Sequence, residues 1–277
     1  MLENLDQNQI LFILAAMTTS AVVVGFMAGF FGIGGELIMV PILFHIFDFA
    51  SIKYEFIMHV AIGTSFAIII PTSIISIMTH MKFKAVDFTI VKSFGVFVVI
   101  GVMLGTIFAV NLKTSSLVLF FSIMTMLFAI YFLIAKEKIN PIQREINLIY
   151  RVIFGFLSGF LSAPMGIAGG VINTPILKIF GYQVKVAIGS SAAVGFLIAL
   201  IGAIGFAVSC SYLNVNVPLS LGFINIPAFF IFVPITMFMA KIGAKTVHKF
   251  DKKLIGKLFG VYLFIISCKL FYDYFSI

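Results

Sequence analysis

Residues 10–31, 94–110, 117–134 and 186–208 run without a single charged side chain. Crossing hydrocarbon as a helix takes about 20 apolar residues, so runs of this kind constrain the chain more than any other feature. Across all 277 residues, 62% are hydrophobic and 10% charged. A soluble domain carries about a quarter charged residues, so this chain has too little polar surface to cover itself in water. The expected fold class is an all-α polytopic membrane protein with 8–10 membrane segments. The net charge of +8 then reads as an orientation signal, with no nucleic-acid partner expected. The N-terminal MLENLDQNQ carries Glu3 and Asp6 and no basic residue. A secretory leader opens basic, so the first apolar segment is expected to stay in the mature chain. Cys210 and Cys268 imply neither a disulfide framework nor a metal site, and no cofactor is expected.

Residues 25–41 read GFMAGFFGIGGELIMVP, and residues 155–175 read GFLSGFLSAPMGIAGGVINTP. The two phrases match in order. Gly25-xxx-Gly29 answers Gly155-xxx-Gly159, and Gly32-Ile33-Gly34-Gly35 answers Gly166-Ile167-Ala168-Gly169-Gly170. Pro41 and Pro175 each stand nine residues after the first glycine of their cluster. Farther on, Ala61-Ile62-Gly63-Thr64-Ser65 answers Ala187-Ile188-Gly189-Ser190-Ser191. The second copy carries four additional residues at 162–165. The expected organisation is repeat 1 over residues 1–135, a cytoplasmic linker at 136–150, and repeat 2 over 151–277. Expected segments are 10–31, 36–47, 59–79, 86–110 and 114–134, then 150–161, 167–180, 186–208, 217–239 and 257–274. Each repeat is thus a broken, re-entrant helix pair plus three transmembrane helices.

Charge decides how the repeats are oriented. Segment 36–47 reaches only about 18 Å as a helix, short of a hydrocarbon core of about 30 Å, so each phrase is expected to enter and leave on one side. In that arrangement 80–92, 135–151, 178–185 and 240–257 share one side and hold 15 of the 18 Lys and Arg residues, leaving Lys53, Lys113 and Lys269 opposite. The positive-inside rule makes the first side cytoplasmic. The repeats are therefore expected to be inverted, with both termini on the non-cytoplasmic side.

Helix breaks at membrane depth are tolerated where they pack in protein or line a wet cavity. A half-helix restarting there, near Glu36 and near Val171, offers free N–H groups and a positive dipole end to an anion. Inverted repeats with paired breaks point to a transporter's midplane site. The candidate substrate-binding residues are Gly32, Gly34, Gly35, Glu36, Thr64, Ser65, Ser162, Gly166, Gly169, Gly170, Asn173, Thr174, Ser190 and Ser191. Two readings stand for Glu36: a proton carrier buried in the membrane, or a partner of its own helix dipole. The Ser and Thr hydroxyls either contact substrate or bond back to a helix carbonyl. Gly25, Gly29, Gly155 and Gly159 suit close helix packing, and Pro41 and Pro175 suit kinks. His59 and Lys185, at equivalent places, read as interfacial side chains reaching toward headgroups.

The doubled G-xxx-G-xx-G-x-G-G…P phrase followed by A-x-G-T/S-S resembles the TauE/SafE family of membrane permeases, over nearly the whole chain. The resemblance implies a secondary transporter of small anions such as sulfite or related organosulfur compounds, placed in a bacterial inner membrane. Two departures stand out: Glu36 occupies a position where a third glycine is common, and 162–165 interrupts the second phrase. The function expected is alternating-access anion transport in a lipid bilayer, with protons as the candidate coupling ion. A passive anion channel on the same fold is the alternative. An enzyme is not expected, because Gly189-Ser190-Ser191 has no base to activate a serine.

Overall fold

A computed structural model describes residues 6–31, 35–50, 52–134, 147–213, 215–247 and 252–276. These residues form α1 (Gln7–Phe31), α2 (Glu36–Phe49), α3 (Tyr54–Lys82), α4 (Phe88–Val110) and α5 (Thr114–Ile134), then α6 (Leu148–Met165), α7 (Gly170–Ile179), α8 (Val184–Tyr212), α9 (Ile226–Val247) and α10 (Lys252–Ser276). Strands β1 (Ser220–Leu221) and β2 (Ile224–Asn225) form a short antiparallel ladder before α9. Eight helices are long and apolar enough to cross a membrane, whereas α2 and α7 span 14 and 10 residues. The chain is an all-α, multi-pass membrane protein. Gly32 and Gly34 lie outside the described residues, as does most of the expected linker.

Two expectations shift. The apolar run from 217 becomes helix only at Ile226. Leu219 and Gly222 take left-handed φ of 56° and 63°, which turns the chain into the β1–β2 ladder. Residues 162–165 do not interrupt the phrase; they extend α6 by one turn to Met165.

The helices are apolar on two sides for different reasons. On α4, Phe94, Val98, Gly101, Val102, Gly105 and Ala109 are buried, while Val96, Ile100, Met103, Leu104 and Ile107 stand exposed to lipid. In lipid the apolar side chains give no net drive to associate, so contact depends on close backbone approach at small residues. A Cβ at Gly159 would lie 2.1 Å from the Val98 carbonyl oxygen, and one at Gly101 would lie 2.2 Å from that of Phe156. Helices α4 and α6 therefore touch backbone to backbone.

The same contact recurs between α1 and α9. A Cβ at Gly243 would lie 2.1 Å from the Phe26 carbonyl oxygen, and one at Gly25 would lie 2.6 Å from Thr236 Cα. The facing rings repeat too: Phe26 and Phe30 stack at 5.7 Å and 17°, Phe156 and Phe160 at 5.8 Å and 17°. Helix α1 of the first five thus pairs with α9, α6 of the second five pairs with α4, and α3 packs on α8 as α5 packs on α10.

Both broken pairs fold back on themselves. The end of α2 meets the start of α1 where Phe49 lies 4.8 Å from Phe12. The end of α7 meets the start of α6 where Phe180 lies 5.9 Å from Tyr150 and 5.7 Å from Phe154. At the α3 start, Thr114 Oγ1 donates to the Glu55 carbonyl at 2.7 Å, and Tyr54 lies near Asp48 and Asp273. His45 Nε2 sits 3.5 Å from Asp273 Oδ2, and Lys269 pairs with the same carboxylate. Lys53, Lys113 and Lys269 therefore collect at the end of the molecule away from Lys82 and Lys84.

Candidate functional site

The A-I-G-T/S-S motifs hold paired structural joints. A Cβ at Gly63 would meet the Phe223 carbonyl oxygen at 2.5 Å, and one at Gly189 would meet that of Ala85 at 2.1 Å. Two residues beyond each carbonyl, an N–H donates to the next hydroxyl: Asn225 to Thr64 Oγ1 at 2.9 Å, and Asp87 to Ser190 Oγ at 3.0 Å. Asn225 and Asp87 in turn stand at the starts of α9 and α4, where their side-chain oxygens accept from Ala228 and Thr89 N–H groups. Thr64 and Ser190 therefore clamp a helix start in each half. His59 is buried at 2% exposure, against the expected interfacial position, with its ring 5.3 Å from Phe223. Its equivalent Lys185 is exposed.

The second serine of each motif points elsewhere. Ser65 Oγ donates to the Gly166 carbonyl at 2.8 Å, tying α3 to the second break. Ser191 Oγ is buried and has no hydrogen-bond partner. It shares a helix face with Gly195 and Ile198, which abut Ala168 and Gly169.

The second break is built by two left-handed glycines. Gly166 (φ 63°) ends α6: its own N–H donates to the Ala163 carbonyl and that of Ile167 to the Ser162 carbonyl, both at 3.3 Å. This double closure is the Schellman arrangement, which favours glycine at the left-handed position. Gly169 (φ 70°) starts α7, and its carbonyl accepts from Ile172 at 3.0 Å and Asn173 at 2.6 Å. The N–H groups of Gly170 and Val171 donate no hydrogen bond among the described residues, as the first turn of a helix requires.

Around Gly169 two further polar groups are left over. The Ser158 hydroxyl donates to Asn173 Oδ1, so Asn173 Nδ2 is the free end of that amide. Asn173 Nδ2 and Ser162 Oγ are both fully buried without partners. They lie 2.9 Å and 3.0 Å from where a Gly169 Cβ would stand, beside Ile198 Cδ1 at 2.8 Å. Buried polar atoms are nearly always paired, and leaving one unpaired costs about 1–3 kcal/mol. Two such atoms converging on a side-chain-free position at a helix start form a niche of donors. The extra α6 turn supplies one of them. Thr174 is buried on the next residue of α7.

The first break contributes differently. Gly35 packs on α1, where a Cβ would meet Ala28 Cβ at 2.6 Å, and it takes an ordinary φ of −66°. Met39 and Val40 replace Asn173 and Thr174 and are buried in the apolar core. What this half supplies is an acid: Glu36 Oε2 accepts the N–H of Ala168 at 2.8 Å. The two breaks thus meet directly, one bringing a carboxylate and the other donors. Gly35, Glu36, Ser65, Ser162, Gly166, Gly169, Gly170 and Asn173 are gathered at or beside that junction, whereas Thr64 and Ser190 are engaged at the helix-start clamps.

A family model described as sulfite exporter TauE/SafE matches residues 17–270, from within α1 to within α10. The chain belongs to the TauE/SafE family. It is 31% identical over 261 residues to a probable membrane transporter protein of Haemophilus influenzae, covering 94% of this chain and 98% of that one. A probable membrane transporter protein of Methanocaldococcus jannaschii is 29% identical over 261 residues, covering 91% and 95%. One from Bacillus subtilis is 27% identical over 276 residues, covering 91% and 96%. No solved structure matches the chain. This TauE/SafE member is thus a multi-pass membrane protein of a transporter family. Glu36 and the 162–165 turn, where the two repeats of this chain differ, both fall at the junction of the two breaks.

Proposed function

We propose that the protein is a secondary transporter of a small anion, sulfite or a related organosulfur anion, carried by alternating access through the Gly169 niche. The observation that carries this reading is the convergence of Ser162 Oγ and Asn173 Nδ2, both buried and unpartnered, on Gly169 at the α7 start. Every group identified there donates: an amide N–H₂, a hydroxyl and the free backbone N–H groups of Gly170 and Val171. Donors at a helix N-terminus suit a solute that carries negative charge on acceptor oxygens. The niche is closed over by the described residues, which fits one state of a transporter that opens to each side in turn.

The reciprocal pairing of α1 with α9 and of α6 with α4 supports two repeats, 1–135 and 151–277, related by a two-fold exchange. The gathering of Lys53, Lys113 and Lys269 at one end supports the inverted orientation, with termini outside the cytoplasm, and the family resemblance is what suggests a bacterial inner membrane. Glu36 is the candidate carrier of a coupling proton, because it joins the breaks and is the one acid at the junction among the described residues.

Reconstituted protein should move sulfite into vesicles with a rate that saturates with concentration. Replacing Ser162 or Asn173 by Ala should raise the half-saturating concentration about tenfold, for about 1.4 kcal/mol of lost interaction. Flux that rises without saturation at channel-like rates is the result expected of a passive anion channel. Sulfite flux identical in empty vesicles would overturn both readings.

A further inference from the structure

Glu36 stands at the first position of α2, where a carboxylate ordinarily serves its own helix dipole. Its side chain instead crosses to the other half of the molecule and takes the N–H of Ala168. Neither α2 nor α7 has a side-chain cap at its start. The Glu36 carboxylate is consequently the one anionic group, among the described residues, bonded to the segment that leads into α7. Ala168 directly precedes Gly169, whose bare Cα lets Ser162 Oγ and Asn173 Nδ2 close in to 3.0 Å and 2.9 Å of where a Cβ would stand. Helix α7 has ten residues, and these two buried, unpartnered atoms mark its start as a ligand site independently of the helix terminus itself.

A negative charge held by those two groups comes within a residue of the carboxylate already bonded to Ala168. Like charges this close repel strongly where water is scarce. We infer that the Glu36 carboxylate is a tethered competitor of the transported anion: in the empty site it supplies the negative charge that α7 attracts, and an arriving anion binds against it. The inference rests on the niche reading above and concerns how occupancy of that niche is regulated. It reverses the usual expectation for an acid at a binding site. A residue that held the ligand or merely shaped the loop would weaken binding when changed, whereas a competitor strengthens it.

The test is equilibrium binding of radiolabelled sulfite to the purified full-length protein at fixed pH. Glu36→Gln keeps an oxygen that can accept the Ala168 N–H and removes the charge. The expected result is a Kd at least fivefold lower than wild type. Glu36→Met, of similar length and without the polar head, should show the same direction, so a folding failure of one variant leaves the other to decide. An unchanged or higher Kd in whichever variants fold overturns the inference. Gly169→Ala separates this outcome from failure of the niche itself. If Gly169→Ala weakens binding while Glu36→Gln does not tighten it, only the competitor falls. If Gly169→Ala leaves sulfite binding untouched, or wild type does not bind sulfite, the niche and the competitor fall together.

Discussion

Ser190 Oγ accepts the backbone N–H of Asp87 at 3.0 Å, and that single bond fastens the start of α4 to the interior of α8. Its equivalent in the other half, Thr64 with Asn225, fastens α9 to α3 at 2.9 Å. Both hydroxyls come from a motif that looks like substrate chemistry in the sequence, yet their acceptor capacity is used by backbone.

Ser190→Ala should therefore lower stability by about 1–3 kcal/mol, the cost of leaving a buried N–H unpaired. Sulfite affinity of the folded fraction should stay within twofold of wild type. Thermal unfolding in detergent alongside binding checks both halves of that statement, and a large loss of affinity at unchanged stability would return Ser190 to the binding site.

The glycine beside it is still less replaceable. A Gly189→Ala Cβ would stand 2.1 Å from the Ala85 carbonyl oxygen, a backbone atom that cannot swing aside. Overpacking of this kind costs about 1–3 kcal/mol or more, so the variant should express poorly or unfold early. Gly256 on α10 meets nothing within 4 Å, and Gly256→Ala should stabilise that helix by about 0.5–1 kcal/mol. Expression and melting temperature of the pair give the comparison.

Ser162→Ala should separate stability from binding in the opposite way. It deletes a buried hydroxyl that has no partner, so the melting temperature should hold or rise while sulfite binding weakens. A fall in both would indicate that the hydroxyl supports the fold and not the ligand.

Side-specific labelling tests the inverted orientation. In a background without Cys210 and Cys268, cysteine at Lys53 should react with an impermeant thiol reagent on intact cells. Cysteine at Lys257 should react only after the membrane is opened. Labelling of both from one side would overturn the arrangement.

Much of this was legible in residues 25–41 and 155–175. Their glycines mark where α1 and α6 stop, and the mismatch of Glu36, Ser162, Asn173 and Thr174 across the repeat points to the junction. Helix faces were not legible, because α4 is apolar toward lipid and toward protein alike, so no periodicity separates Val98 from Ile100. The role of Gly243 was hidden because its partners, Phe26 and Phe30, lie at the other end of the chain. The clamps at Thr64 and Ser190 escaped for the same reason. A hydroxyl's partner in a distant connection leaves no local signal. The ladder at 220–225 was masked by an apolar run in which two left-handed residues, Leu219 and Gly222, redirect the backbone.

The pairing of α1 with α9 has a consequence for how the chain is made. Phe26 emerges early in synthesis, and the glycine it packs against is residue 243. At roughly 5–20 residues per second, ribosomes take about 10–40 s to cover that distance. During that interval α1 waits in the bilayer with its small-residue face bare to lipid, or to any neighbouring helix that offers a similar face. Errors of assembly should therefore concentrate on this helix, and quality-control factors that shelter newborn membrane segments have the longest time to meet it there.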